Sequence, residues 1–175
     1  MTTNEPVKDV QTVHRDWRRL DEAIAGVEIK HLPSLEDDRG ELVEIWRPDW
    51  GVLDAPVTSV HQVGIRPGKV KGWGMHAEND DRLFVSRGSV RFALFDYRPG
   101  SPTYRRLQVF TIGERNRAIV VVPHGVFHAL ENLGTDEAVV ISMPTQLYIY
   151  EDPDKYRLPL KNDVIPFDFE TGRGW

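Results

Sequence analysis

Apolar residues recur along the chain with two different periods, and the change falls at Gly26. Before it, Val10, Val13, Trp17, Leu20 and Ile24 stand three, four, three and four residues apart. That spacing is the stripe of a helix of about four turns, closed by Gly26. After Gly26 the period is two. Val27 and Ile29 alternate with polar residues, Val43 and Ile45 flank Glu44, and similar patterns recur around 57–63, 82–87, 89–96, 118–123 and 137–142. Turn-forming runs separate them, among them DDRG, RPGK, SRGS, RPGSP, NLGTD and EDPD. Short strands in this rhythm, with no second helical stripe to serve as a crossover, predict an all-β sandwich or barrel. The expected organisation is a helical extension over 1–26, a barrel over 27–169 and a short tail over 170–175, with no repeat and no linker. The mixed stretch from Tyr156 to Trp175 is expected to drape over the barrel or an adjacent subunit.

Composition narrows the function without naming it. At 175 residues, 40% hydrophobic and 28% charged, the chain can bury the core of one domain. The formal net charge of −5 is spread over interspersed acids and bases, so the basic stripe of a nucleic-acid binder is missing. Without cysteine there is no disulfide, thiol nucleophile or thiolate metal site. The opening MTTNEPVKDV has no basic stretch followed by an apolar run, so no signal peptide is expected. No apolar run approaches the ~20 residues that span a bilayer. The expectation is a cytoplasmic protein.

Two stretches carry candidate chemistry. In KGWGMHAENDD (Lys71–Asp81), strand alternation puts Gly74, His76 and Glu78 on one face. In PHGVFHALEN (Pro123–Asn132), Pro-x-Gly turns the chain and the following strand projects His128. This P-x-G-x-x-H-x-x-x-N spacing resembles the second motif of the cupins. Gly68, the Gly74-Met75-His76 triplet, Asp81 and Gly88 stand at the spacings of their first, with Gly for the first His and Asp for Glu. The resemblance implies a double-stranded β-helix (jelly-roll) barrel, here behind an N-terminal helix.

A narrower resemblance rests on five runs in order: DDRGELVE (Asp37–Glu44), KGWGMH (Lys71–His76), DYRPGSPTY (Asp96–Tyr104), VPHGVFHALENL (Val122–Leu133) and KND (Lys161–Asp163). Together they are similar to dTDP-4-dehydrorhamnose 3,5-epimerases, cupins acting on nucleotide-linked 4-keto sugars. The resemblance implies that Arg39 and Glu44 hold the nucleotide, that Lys71 touches phosphate or sugar, and that His128 lies near the reacting ring. An arginine fork suits phosphate oxygens, and equally suits a salt bridge at a strand edge. It also implies a homodimer and no metal. The family's catalytic segment reads R-G-L-H, and its His matches Gly74. A nearby active-site Lys matches Asp81, the acid Tyr matches Ser142 with Tyr148 and Tyr150 close by, and the family's late Asp has no match.

Three readings therefore stay open. His76, at the next position on the face of Gly74, and His128 have the right ordinary pKa for proton transfer at neutral pH, with Tyr148 as acid. Alternatively His76, Asp81 and His128 form a two-His, one-carboxylate set for a divalent metal. A non-catalytic sugar-nucleotide binder is the third. Trp46, Trp50 and Trp73 could stack on a base or sugar but suit a barrel core at least as well. His61 is expected to face the same cavity.

Overall fold

The computed structural model describes residues 6, 8–15 and 23–170. Two five-stranded antiparallel sheets face each other. The first contains, in spatial order, β1 (Glu28–His31), β9 (Ala118–Val122), β6 (Asp81–Arg87), β11 (Ala138–Ser142) and β4 (His61–Ile65). The second contains β12 (Tyr156–Arg157), β5 (Val70–Met75), β10 (Val126–Asn132), β7 (Ser89–Asp96) and β8 (Leu107–Gly113). A separate hairpin joins β2 (Leu35–Asp37) and β3 (Gly40–Leu42). This is the jelly-roll barrel expected from the sequence.

Both sheets are covered on both faces, which explains their long apolar runs. In β9, Ala118, Val120 and Val122 point between the sheets, where they meet Val85, Phe92 and Leu130. The alternate Ile119 and Val121 point outward, under Leu32, Val52 and Trp46. The outer face of the second sheet carries Trp73, Phe95 and Phe127, and Leu160, Ile165 and Phe167 of the tail cover it. The tail therefore does lie on the barrel. Trp73 is wholly buried in that layer, with its Nε1 donating to the Leu160 carbonyl at 3.4 Å. It is a core residue and not a stacking platform.

The expected N-terminal helix is not found where the chain is described. Residues 8–15 carry no helix, and Val10 and Val13 are exposed. Trp17 and Leu20 lie outside the described residues. Ile24 is buried in the main core, but in a turn: its N–H donates to Gln108 Oε1 at 2.9 Å, and Ala25 N–H donates to Thr103 Oγ1 at 3.0 Å. Side-chain acceptors from the barrel capture donors that a helix would have used internally, a tertiary override of a weak local pattern. The strand expected at 43–45 is also displaced. Pairing occurs at 40–42, and Val43 and Ile45 alternate because they pack on the first sheet's outer face.

The family-like run DYRPGSPTY turns out to be scaffolding. Asp96 is fully buried and accepts from Arg98 Nε and N–H at Oδ1, at 2.8 and 3.1 Å. Its Oδ2 accepts from Arg98 Nη2 (2.8 Å), Ser101 Oγ (2.6 Å) and Thr103 Oγ1 (2.6 Å). Burial alone would raise the carboxyl's pKa. The donors from Arg98, Ser101 and Thr103 outweigh it and hold Asp96 well below the usual carboxylate range. Arg98 Nη2 then donates to the Ala25 carbonyl at 2.6 Å, tying the chain's entry into the barrel to this turn.

Candidate functional site

At one end of the barrel the sheets enclose a cavity of about 440 Å³. The first sheet lends it His61 of β4, Asp81 of β6 and Ser142 of β11, and the second lends Lys71 of β5 and His128 of β10. Tyr148, Asp154 and Lys155, from the segment after β11, close its side. His61 therefore faces the cavity as expected.

Two close backbone approaches shape the wall. A Cβ on Gly72 would stand 2.3 Å from Ala129 Cβ and 2.5 Å from Ala129 Cα, so only glycine lets β5 lie this near β10. A Cβ on Gly74 would point into the site, 3.2 Å from Lys155 Cε and 3.7 Å from His128 Nε2. His128 and Gly74 are direct partners in the ladder.

β5 ends at Met75, so His76 follows the strand instead of continuing it, and Glu78 lies on the exposed bend beyond. The face shared by Gly74, His76 and Glu78 is thus broken after Met75. What holds His76 is Asp154. Its carboxylate accepts the backbone N–H groups of Ala77 (2.7 Å), Glu78 (3.0 Å) and Asn79 (3.0 Å). Burial opposes the charge on Asp154, but these three donors prevail and lower its pKa. The Asp154 carbonyl meets His76 Nδ1 in a short hydrogen bond. A carbonyl only accepts, so Nδ1 carries a proton, and Nε2 is the nitrogen left to face the cavity.

That Nε2 faces a crowded centre. It lies 3.6 Å from Asp81 Oδ2 and 3.5 Å from Lys155 Nζ. His128 Nε2 is 3.8 Å from the same Asp81 oxygen, and the two imidazoles stack at 6.0 Å between centroids. Burial pushes His128 down to about 4, against the pull of Asp81, so its ring is neutral at physiological pH. Burial also lowers Lys155, again with Asp81 opposing. Donor atoms of His76, Asp81 and His128 all fall within 4.8 Å of one another, so this set could hold a metal ion. The Lys155 ammonium borders the same donors. Chemically, the arrangement can accept a proton at one imidazole and offer positive charge beside it, inside a cavity of the size that takes a small molecule.

The sequence-expected residues divide. His76, Asp81, His128, Lys71 and Tyr148 come together around one cavity, Tyr148 edge-on to Tyr150 at 5.1 Å. Arg39 and Glu44 do not join them within one chain. Arg39 caps the β2–β3 hairpin, 84% exposed and paired with Asp37, and Glu44 pairs with Arg47. Sequence reasoning missed Asp154 and Lys155, which it saw only as the turn EDPD and its neighbour. No local signal marks them. They reach the site because β12 pairs with β5, Tyr156 opposite Met75 and Arg157 opposite Gly74.

Comparison with known proteins gives a consistent picture. The family pattern described as dTDP-4-dehydrorhamnose 3,5-epimerase matches residues 21–165. The chain is 35% identical over 149 residues to the probable low-salt glycan biosynthesis epimerase Agl13 of Haloferax volcanii, spanning 85% of this chain and 96% of that one. It is 31% identical over 148 residues to the spore coat polysaccharide biosynthesis protein SpsL of Bacillus subtilis, spanning 85% and 97%. Among solved structures, a dTDP sugar isomerase from Desulfovibrio desulfuricans shares the fold, with a TM-score of 0.79 at 22% identity over 86% of this chain and 95% of that one.

Proposed function

The chain belongs to the dTDP-4-dehydrorhamnose 3,5-epimerase family, and we propose that its cavity takes a nucleotide-linked 4-keto sugar and moves a proton beside the ketone. The observation that carries this reading is the fixed ring of His76, whose Nε2 faces the cavity next to a neutral His128. A carbon next to a ketone loses its hydrogen as a proton. The proton passes to His76 Nε2, and the C–H electron pair moves into an enolate. Return of a proton to the opposite face inverts that carbon, and return to a different atom isomerises the sugar. Tyr148 is the group proposed for that return, the neutral His128 for a hydrogen bond to the reacting ring, and Lys71 for the phosphate or ring hydroxyls.

Arg39 and Glu44 enter the proposal through a second copy. Leu35 and Leu42 face each other across the hairpin and are 70% and 58% exposed. A homodimer that covers them would carry Arg39 and Glu44 to a neighbouring cavity as the nucleotide clamp. Sedimentation as a monomer at micromolar concentration would remove this part. No helix among the described residues is long and apolar enough to cross a membrane, and the cytoplasm, where nucleotide sugars are made, is the proposed compartment.

The test is proton NMR of the protein with dTDP-4-keto-6-deoxyglucose in heavy water. Loss of the C3 or C5 hydrogen signals, abolished in His76→Ala and in His128→Ala, is the expected result. Binding without exchange would instead point to a sugar-nucleotide sensor. The closeness of the His76, Asp81 and His128 donors favours one second reading, a metal-assisted reaction. Exchange that stops with chelator and returns with added Mn²⁺ or Zn²⁺ would bring it forward.

A further inference from the structure

A base alone does not make proton removal beside a ketone fast. The enolate oxygen needs a positive or hydrogen-bonding partner already in place. Of the two lysines lining the cavity, Lys155 is the one beside the base, with Nζ 3.5 Å from His76 Nε2. Its stem runs through the space that a side chain at Gly74 would fill, since a Cβ there would stand 3.2 Å from Cε and 3.6 Å from Nζ. The backbone is anchored on both sides. Lys155 N–H donates to the Pro153 carbonyl at 2.7 Å, and the next two residues pair with β5. The ammonium is thus held near the proton acceptor, on the residue that leads directly into the short strand β12 and not on a free loop.

We propose that Lys155 is a catalytic residue: its ammonium receives the sugar's ketone oxygen and stabilises the enolate formed as His76 takes the neighbouring proton, and Gly74 is the opening that lets it reach. This rests on the epimerase or isomerase reading above. In the balanced step the C–H bond breaks, the proton goes to His76 Nε2, the electron pair becomes the enolate, and Lys155 donates a hydrogen bond to O⁻ without transferring its proton.

The experiment is heavy-water exchange on Lys155→Met and Lys155→Ala, with dTDP binding and the melting curve measured on the same preparations. Loss of one preorganised oxyanion donor predicts a fall in turnover of ~10²–10³-fold. KM and dTDP affinity should stay within a few-fold, and added ethylamine should restore part of the rate in Lys155→Ala. Gly74→Val keeps the lysine but fills its channel, so it should show the same loss even if the Lys155 variants fold poorly. Exchange within threefold of the wild type in these variants, or a loss that ethylamine leaves unchanged in folded, dTDP-binding Lys155→Ala, overturns the assignment while leaving the epimerase reading intact. No exchange in the wild type overturns both. Lys71→Met serves as the control and should weaken binding more than turnover.

Discussion

Asp96→Asn tests whether the run most specific to the family is scaffold and not active site. Five donors converge on the two carboxylate oxygens, and the side chain is fully buried. An amide keeps one oxygen and turns the other into a donor. If nitrogen replaces Oδ1, it faces Arg98 Nε and the Arg98 N–H. If it replaces Oδ2, it faces Arg98 Nη2, although the Ser101 and Thr103 hydroxyls can rotate to accept. Thr103 Oγ1 already accepts from Ala25 N–H, so its freedom is limited. In either arrangement about two charge-assisted bonds are lost, at roughly 1.5–3 kcal/mol each. Partial exposure of Arg98, which water can then reach, puts the expected loss near the lower end, about 3–4 kcal/mol. For a chain of this length that is a drop in Tm of roughly 6–16 °C. The pH dependence gives a second signature. Asp96 has a lowered pKa in the folded state, so its contribution is full above the unfolded value of about 3.9 and fades as pH falls through it toward the folded value. The gap between wild type and Asp96→Asn should be full at pH 7 and pH 5 and shrink below pH 4. Thermal melts at those pH values measure it, with dTDP binding at pH 7 expected to persist because Asp96 does not line the cavity. A Tm within 2 °C of the wild type, or a gap that widens in acid, would refute the reasoning.

Two further substitutions probe the site's frame. Asp154→Ala removes the acceptor of three consecutive N–H groups. Ala77 and Glu78 are exposed, so water can replace the carboxylate there. The stability loss should therefore be modest, about 1–3 kcal/mol, while amide exchange at residues 77–79 should quicken at least ~tenfold and sugar turnover fall with it. Unchanged amide protection would show that the loop stands without Asp154. Gly72→Ala would force a methyl to 2.3 Å from Ala129 Cβ, against a normal carbon contact of about 3.5–4.0 Å. β5 and β10 would have to part by roughly 1.2–1.7 Å to restore that contact, costing at least ~1–3 kcal/mol, and a melting curve matching the wild type would refute that account of the close approach.

The strands with continuous apolar runs were legible because burial on both faces leaves a mark in the residues themselves, as in AIVVV of β9. His76 and His128 were legible because motif spacing places them along a strand or just past its end, a short-range relation. Where it is described, the stretch before Gly26 departs from the expected helix for the converse reason. Two valines of its stripe are exposed in unhelical chain, and Ile24 is held by Gln108, a partner 84 residues away that no periodicity can announce. Val43 and Ile45 kept their alternation but not their ladder, because packing on a sheet face produces the same pattern as pairing.

By itself, then, the sequence determined the all-β jelly-roll, the β5 and β10 segments that carry the site, and the histidines that face it, since alternation and turn chemistry act between near neighbours. Tertiary structure alone decided the rest. Pairing of β12 with β5 set Asp154 against His76 and drew Lys155 across Gly74, and separation of the hairpin left Arg39 and Glu44 outside the cavity of their own chain. The physical reason is that the candidate site is defined by distances of 3–4 Å between groups on, or just beyond, different strands, and such distances follow from sheet register, which no single segment contains.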